Sequence, residues 1–111
     1  MTLQEIKAAA KDKLCQGDVN IYALTGDPGL SGEKVADPVL VYGSGGNHHK
    51  LMGTNWKAIK TSSGAFVVEV TKTSQLSHEQ HEQIKLAPGF FLIDRAREKG
   101  MFSDMINPVQ D

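Results

Sequence analysis

The clearest periodic signal lies between Gln83 and Arg97. In Gln83-Ile84-Lys85-Leu86 an apolar residue falls at every second position, the period of a half-buried strand. Ala87-Pro88-Gly89 then supplies turn chemistry, since proline presets φ and glycine permits positive φ. Phe90-Phe91-Leu92-Ile93 is apolar throughout, which predicts a strand buried on both faces, and Asp94, Arg95 and Arg97 mark its exit toward solvent. The pattern predicts a β hairpin across Pro88-Gly89. Phe66 to Val70 is a second strong strand, with Phe66, Val68 and Val70 on one face. Val39 to Tyr42, and Lys50 to Lys60 with Trp56 in it, read as further strands. Another begins at Asp18, with Val19, Ile21 and Ala23 alternating, and Thr25 to Asp37 reads as a long loop. Short strands separated by Gly, Ser and Pro predict an all-β, mainly antiparallel protein, a jelly-roll-like sandwich or barrel.

The ends of the chain depart from this period. Thr2-Leu3-Gln4-Glu5 fits a capping box, and Leu3, Ile6, Ala10 and Leu14 follow at helical spacing up to Gly17. This predicts a short N-terminal helix or arm over residues 1–17, with a stripe so thin that it needs something to dock on. Residues 18–98 form the β core. Residues 99–111 lose periodicity yet hold Met101, Phe102, Met105 and Ile106, the composition of an extended C-terminal arm that packs on its own core or on a partner.

Composition narrows the function. The 111 residues are enough for one core, and 12 Lys+Arg against 13 Asp+Glu give no basic face for nucleic acid. Residues 1–60 hold 7 basic and 6 acidic side chains and residues 61–111 hold 5 and 7, so neither half is polarised. No apolar run approaches membrane-spanning length and no signal-peptide order precedes the first segment. The single Cys15 excludes an intramolecular disulfide and reads as a small buried side chain near a helix end. These features together fit synthesis in a reducing cytoplasm.

Candidate chemistry gathers in the histidines. His48-His49 and His78-x-x-His81, with Glu79 and Glu82 beside the second pair, bring ligand types that hold Zn²⁺ or iron. In extended chain, however, adjacent histidines diverge and residues three apart face opposite ways, so the spacing argues against a shared metal unless the backbone bends. No serine carries a nucleophile-elbow pattern, and Gly43-Ser44-Gly45-Gly46 lacks the helix and lysine of a phosphate loop. Trp56 with Tyr22 and Tyr42 reads more readily as core than as a sugar platform.

Two stretches, Gly45-Gly46-Asn47-His48-His49-Lys50-Leu51 and Leu76 to Phe91, resemble small phage and prophage proteins. Those carry a Gly-His-x-His-like turn and a later His-Glu-x-His segment with a Pro-Gly hairpin and an arginine-bearing strand, here Asp94 to Glu98. With the length and the capped N-terminus, the whole chain resembles the capsid decoration, or staple, proteins of short-tailed phages of the epsilon-fifteen type. The resemblance implies a jelly roll on the outer capsid surface that clamps neighbouring major capsid subunits across local two-fold axes, and it implies no catalytic residues. Here His48 and His49 are adjacent rather than alternating, a departure from the wider small-phage group.

The expectation is therefore a structural virion protein, neither enzyme nor cofactor carrier. It would be made in the host cytoplasm, pair as a homodimer, bind the major capsid protein, and contact neither nucleic acid nor membrane. The apolar termini supply its contact residues: Leu3, Ile6 and Leu14 from one arm, and Met101, Phe102, Met105 and Ile106 from the other. The main alternative is a small cupin-like metal protein or enzyme using His48, His49, His78 and His81. A carbohydrate-binding module centred on Trp56 and a head-completion or tail adaptor are further alternatives.

Overall fold

The computed structural model describes residues 2–42, 48–79 and 81–95, with only the backbone of Tyr42. Over these residues the protein is all-β apart from one short helix, and every strand pairing is antiparallel. In chain order the elements are α1 (Leu3–Ala8), β1 (Asp12–Gln16), β2 (Val19–Leu24), β3 (Glu33–Val35), β4 (Val39–Tyr42), β5 (His48–Leu51), β6 (Trp56–Lys60), β7 (Phe66–Val70), β8 (Ser74–Ser77), β9 (Ile84–Leu86) and β10 (Gly89–Arg95). A six-stranded sheet, ordered β1-β2-β10-β7-β6-β3, faces a four-stranded sheet, ordered β4-β5-β8-β9.

The core follows from alternation. Val19 and Ile21 of β2, Phe91 and Ile93 of β10, and Phe66, Val68 and Val70 of β7 project to one side of the larger sheet. There they meet Leu40, Val41, Leu51, Leu76 and Leu86 of the smaller one. The opposite face of the larger sheet carries Tyr22, Leu24, Val67 and Leu92, over which α1 lays Ile6. Strand β10 thus has apolar neighbours on both sides, as its unbroken apolar run requires.

That double burial also decides the Pro88-Gly89 connection. The predicted hairpin does not form: β9 is an edge strand of the smaller sheet, while β10 lies between β2 and β7 in the larger one. Ile84 and Leu86 offer one apolar face, enough for an edge, whereas Phe90 to Ile93 need cover on both faces. Ala87-Pro88 is a corner between sheets, and Gly89 (φ 146°) supplies a backbone angle that L side chains rarely adopt.

The N-terminal segment is shorter as a helix than its stripe predicts. The capping box forms, with Glu5 N–H donating to Thr2 Oγ1 at 3.1 Å and Thr2 N–H to Glu5 Oε1 at 2.7 Å. The helix then stops at Ala8, and Asp12 to Gln16 pair residue by residue with β2. Ladder bonds to a preformed strand outweigh a thin, alanine-rich helical stripe. Hence β1 belongs to the sheet and the core starts before residue 18. Gly17 (φ 61°) is the β1–β2 turn rather than a helix stop, and Cys15 lies exposed on β1, its thiol donating to Asn20 Oδ1 at 3.2 Å. The loop predicted from Thr25 to Asp37 contains β3, which closes the β6 edge, and the strand predicted over Lys50 to Lys60 divides into the end of β5 and β6, which join different sheets.

Candidate functional site

One end of the sandwich is closed by polar side chains rather than apolar ones. His49 of β5 is 1% exposed and Gln16 at the end of β1 is 2% exposed. The two sheets meet through them, because Gln16 Nε2 donates to the Leu76 carbonyl at 2.8 Å and to the Glu82 carbonyl at 2.9 Å. With its amide nitrogen so engaged, Gln16 presents Oε1 as an acceptor to His49 Nδ1 at 2.8 Å. Nδ1 therefore carries the proton of the neutral ring, and Nε2 is left as an acceptor. That nitrogen lies 3.4 Å from Asp18 Oδ1, while the other Asp18 oxygen accepts from Arg95 Nε at 3.1 Å.

Two more imidazoles complete the seam. The His78 ring lies 4.3 Å from that of His49 at an interplanar angle of 38°, and the His81 ring lies 4.6 Å from that of His78 at 36°. The bend that the sequence spacing demanded is present: both residues follow β8 in the irregular connection to β9, where strand alternation no longer separates them. Three of the four histidines are brought together. His48, next along β5, leaves by the other side, and its backbone N–H donates to Glu79 Oε1 at 2.7 Å. Gly17 makes room for the outermost ring, since a Cβ there would stand 3.0 Å from His81 Cδ2 and Nε2.

The electrostatics follow from burial and spacing. Loss of solvent and the neighbouring His78 hold the His49 imidazole down to about 4 from 6.5. His81 pushes the same way and Asp18 opposes them. The bond from the His48 amide holds the exposed Glu79 carboxyl below the ordinary carboxylate range. Among the described residues no group of three or more His, Cys, Asp or Glu is placed to hold a metal ion.

The contact residues expected from the termini separate. Ile6 is 3% exposed inside its own core, so its side chain serves the fold and is not open to a partner, and Leu3 packs on the same cluster. Leu14 is 37% exposed on the β1 edge. Met101, Phe102, Met105 and Ile106 lie outside the described residues. Trp56 is half-buried, its Nε1 donating to the Gly53 carbonyl at 3.0 Å. It lines an open groove of about 470 Å³ with Leu30, Ile59, Val67 and Phe90. Tyr22 is three strands away in the sheet, so these aromatics form no common platform. Gln16 and Asp18 were absent from the sequence expectation. A polar residue at each end of a Gly turn was their only signal.

The fold and this end define a class: a two-sheet antiparallel β sandwich sealed by a buried Gln–His pair and a histidine stack. Residues 15–96 match the family described as Domain of unknown function (DUF8820), and the chain belongs to that family. The match covers β2 to β10 and every residue of the seam, and leaves out α1 and the first three residues of β1, Leu14 among them. No curated protein and no solved structure matches the chain. No helix among the described residues is long and apolar enough to cross a membrane.

Proposed function

We propose that the protein is a structural component of a phage virion, binding the outer face of the capsid and stapling neighbouring major capsid subunits as a two-fold pair. The observation that carries this reading is the β1 edge. Its five residues pair only with β2 among the described residues, its first four are exposed, and Leu14 projects from it at 37% exposure. An uncovered strand of this length is a template for another chain, and antiparallel pairing of β1 with its copy satisfies a two-fold axis. A staple also gains from repetition, because weak contacts multiplied over a shell give avidity. The jelly-roll connectivity implied by the phage resemblance is part of the same proposal.

The test is quantitation of this chain against the major capsid protein in purified particles, alongside particles grown with Leu14→Asp. Near-equimolar wild-type protein and severalfold less of the variant support the reading. A few copies per particle make it a vertex or tail component, and absence removes the virion role.

A further inference from the structure

We propose that the His49–His78–His81 stack is an acid-sensitive seam: protonation parts the β1–β2 turn from the β8–β9 connection while the strands of both sheets stay paired. The inference does not depend on the capsid reading.

The neutral seam is held by one directional chain of bonds, His49 Nδ1–H to Gln16 Oε1 and Gln16 Nε2–H to the carbonyls of Leu76 and Glu82. None of these accepts another proton. The one place left for a proton on the His49 ring is Nε2, which faces Asp18 Oδ1 at 3.4 Å. Asp18, from the β1–β2 turn, is the acidic group against that nitrogen, and it is already shared with Arg95 of β10. From the β8–β9 connection the ring meets His78 and, beyond it, His81, while the Glu79 carboxylate is engaged by the His48 amide. A second charge on the stack therefore stands 4.3 or 4.6 Å ring to ring from the next, with one carboxylate divided between His49 and Arg95.

Repulsion has one direction in which to act. Inward, the His81 ring is stopped by the Gly17 backbone, where even a Cβ would stand 3.0 Å away. Outward it is already exposed to solvent. The β8–β9 connection leaves first, taking the Glu82 carbonyl from Gln16 and admitting water to His49. An imidazole at 6.5 when opened and about 4 when closed makes the opened form about thirtyfold more populated at pH 5 than at pH 8.

Cleavage after Glu82 by a glutamate-specific protease reads this opening. Rates are taken at pH 8 and pH 5, each divided by the rate on a peptide of residues 74–88. The expected result is a rise of about thirtyfold in the relative rate, with Glu69 in central strand β7 left uncut. His49→Gln keeps a donor for Gln16 and takes no proton, so its rise should stay below about threefold. Should that variant not fold, the wild-type relative rate followed from pH 8 down should start to rise near pH 6.5 and then climb severalfold per pH unit to pH 5. A wild-type ratio near one overturns the proposal. So does cleavage at Glu69 in step with Glu82, which would mean acid unfolds the whole domain, or a rise confined to below pH 5.5.

Discussion

The middle of the sandwich and the Gln16–His49 pair at its histidine end are both nearly closed to water, yet they are held by different physics. Around Ile93 and Val68 burial is apolar, non-directional and indifferent to pH. Around Gln16 and His49 each polar atom matters through its own partner, and removing one leaves others buried and unpaired. The apolar middle makes the sheets adhere. The polar end specifies how the β1–β2 turn and the β8–β9 connection meet, at the cost of sensitivity to a proton.

Mutations can break this contrast. Ile93→Ala empties a fully buried site between the sheets and should cost about 3–4 kcal/mol by denaturant unfolding, equally at pH 5 and pH 8. Gln16→Leu fills its space with carbon but orphans His49 Nδ1–H and two carbonyls, for a loss of about 3 kcal/mol at pH 8. Equal tolerance of leucine at Gln16 and at an apolar site would erase the distinction.

Acid titration gives the next effect. His49 is neutral in the fold, with its pKa depressed from 6.5 to about 4, so the unfolded chain binds a proton that the folded one refuses. Stability is therefore complete above about pH 6.5 and falls as the pH drops toward 4, by about 2 kcal/mol between pH 7 and pH 5. In His49→Gln this part of the slope should vanish. Smallest is Gly17→Ala, which places a Cβ at φ 61° against His81 and should cost about 1 kcal/mol. Its signature would be a displaced His81 resonance with the sandwich core unchanged.

Much of the fold was legible because burial imprints a period. Phe66 to Val70 and Val39 to Tyr42 form strands with the bounds that alternation and β-branching suggest, and the apolar run after Gly89 is a doubly covered central strand. The capping box at Thr2 and Glu5 formed as expected, being local. Expectations failed where one segment's fate depended on another's: the Pro88 hairpin, the length of the helix, and the burial of Cys15.

The sequence by itself determined the all-β class, the positions of the strongest strands and the near-neutral charge balance, because composition and period-two patterning are carried by neighbouring residues. Only tertiary structure decided which sheet each strand joins, that Leu14 lies on an open edge while Ile6 is spent on the core, and that His49, His78 and His81 stack. Those outcomes rest on contacts between residues far apart in the chain, 77 positions between Asp18 and Arg95 and 87 between Lys7 and Asp94, and no local spacing encodes them.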